Sequence, residues 1–287
     1  NILSGGSTSA TVVNSGGFQR VSAGGTATGT KLSAGTQNIS SGGKASATEV
    51  FSGGKQNIYA DGIASGTRIN QSGYVNISSG GYAESTIINS GGTQSVLSNG
   101  LASGTMINNS GRENVSNGGA SYNAIINDGG NQYIYNNGEA TGATVNTSGF
   151  QRVSSGGTAT GTQLSGGTQN VSSGGSAINT SVYNSGVQTV YAGATVTDTT
   201  VNSGGKQNIS SGGSASGTVV NTSGTQNIYS GGSAVSTHIS SGGDQRVSSG
   251  GNASGTVVSS GGFQRVNSGG TATGTQLSGG AQNVSSG

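Results

Sequence analysis

The chain has 287 residues, 59 of them Gly, with no Pro, Cys or Trp, and its 10 basic and 8 acidic side chains leave a net charge of +2. That balance gives no electrostatic pull towards nucleic acid or an anionic membrane. The lack of Cys excludes disulfides and thiolate metal sites, and no apolar run approaches the roughly 18 residues of a membrane span.

Composition alone reads as a disordered Gly/Ser segment. The apolar residues, however, are not scattered. Asn1 begins inside a regular pattern, so the chain is expected to be a fragment of a larger array, with further units on both sides. The first full unit opens at Phe18–Val21 (FQRV). Gln and Val two apart read as a short strand with both side chains on one face. Ser22–Gly25 (SAGG) is a corner, because Gly takes positive φ without strain. A second strand surrounds Ala27, a small-residue break stands at Gly29, and a third strand carries Thr30 and Leu32. Another corner leads to Gln37, where the unit starts again.

From there the Gln column runs through Gln56, Val75, Gln94, Glu113 and Gln132, and from Gln151 to Gln282. Two residues on, every unit has Val or Ile, from Val21 to Val284. Eleven residues after that column lies a second one, always aliphatic, from Leu32 to Leu277. The step is 19 residues except for three of 18, which begin at Gln19, Gln151 and Gln264 and carry Leu32, Leu164 and Leu277. Three strands and three corners per unit, stacked in register, predict an all-β fold: a right-handed parallel β-helix solenoid of about fifteen rungs, forming one array over 1–287. The Val/Ile, aliphatic, Ala, Thr and Gln columns are expected inside. Stacked Gln amides can bond one another along the axis. Val75 fits an inward position. Glu113 fits only if its carboxylate accepts from Gln94 and Gln132.

The stretch VNSGGFQRVSAGGTATGT (Val13–Thr30) resembles the 19-residue repeat of AIDA-type self-associating autotransporter adhesins of Gram-negative bacteria, and the resemblance covers essentially the whole chain. It implies an extracellular passenger domain held at the bacterial surface by a C-terminal membrane barrel. It further implies host-cell adhesion through a surface receptor, auto-aggregation, biofilm formation, and covalent O-heptosylation of Ser and Thr by a dedicated heptosyltransferase. No other cofactor is implied. Carried onto this chain, the acceptors are the hydroxyls beside the Gly corners: Ser40 and Ser41, Ser78 and Ser79, Ser154 and Ser155, Ser172 and Ser173, Ser210 and Ser211, Ser248 and Ser249 in SSGG, and Ser15, Ser90 and Ser203 in NSGG. The same residues are also ordinary turn formers.

Other chemistries find little support. His238 alternates outward beside Ile239, and the acids Glu49, Asp61, Glu84, Glu113, Asp128, Glu139, Asp198 and Asp244 are spread along the array. The chain is therefore read as no enzyme, the alternative being a β-helical carbohydrate-active lyase or hydrolase, which would need clustered acids or bases in a groove. Calcium-binding turns would need repeated Asp. An ice-binding face would need an unbroken outward Thr array, which Lys44, Ile63, Tyr82 and Leu101 interrupt. The outward position between Gln and Val holds Asn or, at Arg20, Arg152, Arg246 and Arg265, Arg. This stripe is read either as a soluble surface or as a zipper for homotypic association between cells, weak per rung and additive. The three FQRV copies, with outward Phe18, Phe150 and Phe263, lie too far apart for one site and read as traces of block duplication.

Overall fold

The computed structural model describes residues 1–285 and contains only strands and turns among them. The chain divides into two compact units, Asn1–Ala143 and Thr144–Gly287. Each is a parallel β-solenoid in which every turn of about 19 residues lays down three short strands, and together the units wind about fifteen turns. Handover between strands occurs at the Gly corners and at the small-residue break.

In the first unit the four-residue strands stack with Gln19 beside Gln37 and Gln37 beside Gln56, all parallel. Ala27 pairs with Ala45 in the second sheet, and Leu32 with Val50 in the third. The second unit repeats this, with Gln151 beside Gln169, Ala159 beside Ala177 and Val145 beside Leu164. The 18-residue steps lose their residue from the corner after the Leu, so no strand register slips and no side chain changes face.

The interior is narrow, which explains the columns. Val21, Ile39, Ile58, Leu32, Val50 and Ile69 are fully enclosed, and Ala27, Ala64 and Ala83 are 1% exposed. Burying each Val, Ile or Leu contributes roughly 1.5–3 kcal/mol, with Ala filling the side where nothing larger fits. Gln37, Gln56, Thr30 and Thr48 are equally buried, and they satisfy one another. Gln37 Nε2 donates to Gln19 Oε1 at 2.7 Å, and Gln56 Nε2 to Gln37 Oε1 at 2.8 Å. Thr48 and Thr67 hydroxyls donate to the same Gln37 and Gln56 carbonyls at 3.3 and 3.0 Å. In the second unit the ladder is unbroken from Gln169 to Gln264, each Nε2 donating to the Oε1 of the preceding turn at 2.7–2.8 Å.

The first unit breaks this ladder at two places. Val75 is fully buried and offers no acceptor. Glu113 is also fully buried, and its carboxylate accepts from Gln94 Nε2 at 2.9 Å, Gln132 Nε2 at 2.7 Å and Ser121 Oγ at 2.9 Å. The condition for an inward Glu is thus met, with a third donor that the columns did not announce. Ser121 stands where most other turns have Ala, and Ala124 stands where the usual Thr donor would be. Gln94 is turned over relative to the other amides and donates forward. Its Oε1 and the Thr86 hydroxyl, which would have met a Gln at position 75, are left without partners.

Candidate functional site: corner hydroxyls and outward side chains

Every SSGG corner is closed by a hydrogen bond from its fourth residue to its first, such as Gly43 N to Ser40 O at 2.9 Å and Gly175 N to Ser172 O at 2.8 Å. The turn places its first Ser half-buried at the strand end, as for Ser40, Ser78, Ser154, Ser172, Ser210 and Ser248. Its second Ser is exposed, as for Ser41, Ser79, Ser155, Ser173, Ser211 and Ser249. In the NSGG corners Ser15, Ser90 and Ser203 are exposed. Among the described residues none of these hydroxyls is engaged in a hydrogen bond, so each is open to solvent chemistry.

The identical letters SSGG adopt two backbone forms. At Ser41, Ser79 and Ser155 φ is 51°, 54° and 49°, and the following Gly is also positive, the signature of a type I′ turn. At Ser173, Ser211 and Ser249 only the Gly is positive, as in a type II turn. The difference follows the hydrogen bonds between stacked corners. Ser41 N donates to Ala60 O and Gly42 N to Asp61 O, at 2.7 and 2.9 Å, whereas at Ser173 only Gly174 N reaches the next turn, at Gly193 O, 2.9 Å. The candidate acceptors therefore fall into two classes that differ in the direction of their Cα–Cβ bond.

The outward stripe is partly self-satisfied. Asn57 Nδ2 donates to Asn38 Oδ1 at 2.8 Å, and Asn227 Nδ2 to Asn208 Oδ1 at 2.9 Å. The four Arg separate into pairs. Arg20 and Arg152 are exposed and form no ion pair among the described residues. Arg246 and Arg265 converge on Asp244, whose side chain is 13% exposed, with Nε–Oδ2 and Nε–Oδ1 distances of 2.6 and 3.2 Å. The second contact is too poorly aligned to hydrogen-bond Oδ1, and it acts as a charge contact only. Arg265 also lies 5.7 Å from the centre of the Phe263 ring. The structure thus gathers one acid and two bases where the sequence showed dispersed charges. Among the described residues no three His, Cys, Asp or Glu meet in a metal-binding group. His238 is exposed and faces the Ser259 hydroxyl at 3.3 Å.

A feature that the columns did not reveal is a surface groove in the second unit lined by Phe150, Arg152, Asn170, Ser172 and Tyr191. The aromatic residues come from different turns, so only the register brings them together.

The repeating corners and buried columns match a known family model. The segments 60–111, 114–168, 171–224 and 223–281 fit the family described as "adhesin of bacterial autotransporter system, probable stalk", known as AIDA. The chain belongs to this family. Among solved structures it is similar to a fragment of TibA, described as hyper-glycosylated in a reaction catalysed by TibC. That similarity has 39% identity and a TM-score of 0.91, covering 93% of this chain and 99% of the other. No curated protein matches the chain. As an AIDA adhesin stalk, the molecule owes its regularity to stacking, and its variable chemistry is confined to corners and outward positions. Among the described residues no helix is long and apolar enough to cross a membrane.

Proposed function

We propose that this AIDA stalk segment is a non-enzymatic part of an extracellular passenger, displayed at the bacterial surface and modified with heptose on its corner Ser hydroxyls. In this reading it supports host-cell adhesion, auto-aggregation and biofilm formation. The observation that carries the reading is the spacing of unengaged Ser hydroxyls at the corners, beside Gly residues that leave a transferase room. The glycosylated state of the TibA relative supports it. The partner during biosynthesis is a heptosyltransferase, and the later partners are further copies of the chain and a host-cell receptor.

Intact mass spectrometry of the chain co-expressed with a heptosyltransferase is expected to show additions in multiples of one heptose. Replacing the SSGG Ser residues by Ala should remove most of them. An unchanged mass, or unchanged occupancy in that variant, would refute the assignment of the acceptors.

Homotypic association through the outward stripe makes a separate prediction. Arg20 and Arg152 carry charges that a neighbouring copy can pair with, whereas Asp244 already partly neutralises Arg246 and Arg265. Clumping of cells displaying Arg20→Gln/Arg152→Gln is therefore expected to fall several-fold further than that of Arg246→Gln/Arg265→Gln. No loss in either would exclude the zipper, and equal loss would exclude the neutralising role of Asp244.

A further inference from the structure

We propose that the groove formed by Phe150, Arg152, Asn170, Ser172 and Tyr191 is a binding subsite for a neutral saccharide ring, and that a second subsite of the same kind is built around Phe18 and Tyr59. The groove has a volume of about 430 Å³, at the small end of ligand pockets. Its walls combine two aromatic rings with a guanidinium, an amide and a hydroxyl. The electron-rich ring faces suit the polarised C–H edges of a sugar, and the polar groups suit its rim of hydroxyls. With one cation and no acid in the lining, the groove lacks the clustered charge that a phosphate or a metal ion would require. The groove over Thr26, Lys44 and Ile63, of similar size at about 410 Å³, has no aromatic ring in its lining.

The register explains the assembly. Arg152 pairs with Asn170 on adjacent strands. Ser172 N bonds Val153 O at 2.8 Å and Tyr191 N bonds Val171 O at 2.9 Å, stacking the two strand ends beside the Arg–Asn pair. The first unit repeats this register. Arg20 pairs with Asn38, Ser40 N bonds Val21 O at 3.0 Å, and Tyr59 N bonds Ile39 O at 2.9 Å, with Phe18 two residues before Arg20. The five residue types thus recur at equivalent positions in both units. Around the two Tyr the text has diverged, KQNIYADG in one copy and VQTVYAGA in the other, yet the Tyr remains two turns beyond FQRV in both. Block copying accounts for the Phe and Arg. The same column holds Tyr135 and Tyr229 away from any FQRV copy, so only Tyr59 and Tyr191 stand two turns beyond a Phe–Arg pair.

Saturation-transfer NMR tests this on the full chain produced without a glycosyltransferase, which keeps it independent of the heptose reading. Methyl glycosides of mannose, glucose and galactose serve as probes. Transfer to at least one glycoside is expected, weak and in the millimolar range, falling at least fivefold in Tyr59→Ala/Tyr191→Ala. The variant Phe18→Leu/Phe150→Leu, which keeps apolar bulk without a ring, is expected to show the same loss. Circular dichroism of both variants should match the parent. No transfer to any probe, or transfer unchanged in both variants, would overturn the proposal. The source of the sugar is separated by repeating the titration on glycosylated protein. If a sugar on the chain's own corner Ser residues fills the grooves, modification abolishes transfer. If the sugar comes from another molecule, transfer persists after modification.

Discussion

Glu113→Gln is expected to stabilise the first unit by about 1 kcal/mol or more, and its effect is expected to depend strongly on what occupies position 75. Glu113 is a fully buried carboxyl group held by three neutral donors, and none of the ion pairs among the described residues involves it. An amide in its place could accept from Gln132 and Ser121 and donate back to Gln94. Gln94 would then turn over into the polarity of the other amides, and its orphaned Oε1 would gain a partner. Its Nε2 would instead face Val75. Val75→Gln alone gives the converse. The Thr86 hydroxyl acquires an acceptor, but the new Oε1 confronts Gln94 Oε1, because Gln94 still donates to Glu113. Each single change therefore leaves one mismatch, and only the double variant closes an uninterrupted ladder from Gln19 to Gln132. Denaturant unfolding of the four proteins should give a coupling of about 1–3 kcal/mol in favour of the double variant. Additive effects would show that amide polarity is not transmitted from turn to turn.

The two irregular positions, 75 and 113, were visible as departures from a column; Val75 argued for an inward position, and Glu113 fitted one only on condition that Gln94 and Gln132 donate to it. The consequences were not visible. The inversion of Gln94 depends on two residues in different turns acting on a third, and Ser121 looks like a harmless variant of Ala until its hydroxyl is seen 2.9 Å from Glu113. A period reveals which residues share an environment. It does not reveal how hydrogen-bond direction propagates through that environment. The same distinction governs the surface. Arg20, Arg152, Arg246 and Arg265 occupy one column, yet Asp244, two residues before Arg246 and one turn before Arg265, makes the last pair electrostatically different. The SSGG corners are alike in letters but not in backbone. The choice between the two turn forms accompanies the pairing of each corner with its neighbour, and four letters do not encode that pairing. The Phe–Arg–Asn–Ser–Tyr groove draws on three turns and was hidden for the same reason, although the FQRV motif pointed to its location.

The two Gly residues of a corner are predicted to differ sharply in what they tolerate. Gly42 has φ +79°, and a Cβ there would meet only Gly24 N at 3.8 Å. Gly42→Ala should cost about 1 kcal/mol, the strain of an L-residue in the left-handed region. Gly43 has an ordinary φ but sits directly on the preceding turn, where a Cβ would overlap Val21 O and lie 2.6 Å from Val21 C. Gly43→Val should therefore cost about 3 kcal/mol or more, because the strand spacing of roughly 4.8 Å leaves no room unless the turns part. The chain contains its own measure of that parting. Ala194 occupies the equivalent place in the corner Tyr191–Ala194, and there the stacking bonds Thr195 N to Gly175 O and Ser214 N to Ala194 O are 3.2 Å, against 3.0 Å for Lys44 N to Gly25 O and Ile63 N to Gly43 O. One methyl is thus absorbed by a small local spreading, so Gly43→Ala should fall between the other two variants and Ala194→Gly should change stability by less than about 1 kcal/mol. Thermal unfolding of the four variants checks the order. Equal costs at 42 and 43 would mean that backbone conformation, not the approach of successive turns, dictates the second Gly. The left-handed Gly has a second role in the corners of the other turn form, because a Cβ at Gly193, Gly231 or Gly269 would lie 3.0, 2.6 or 2.5 Å from the Oγ of Ser173, Ser211 or Ser249 in the preceding turn, and its absence leaves those hydroxyls room.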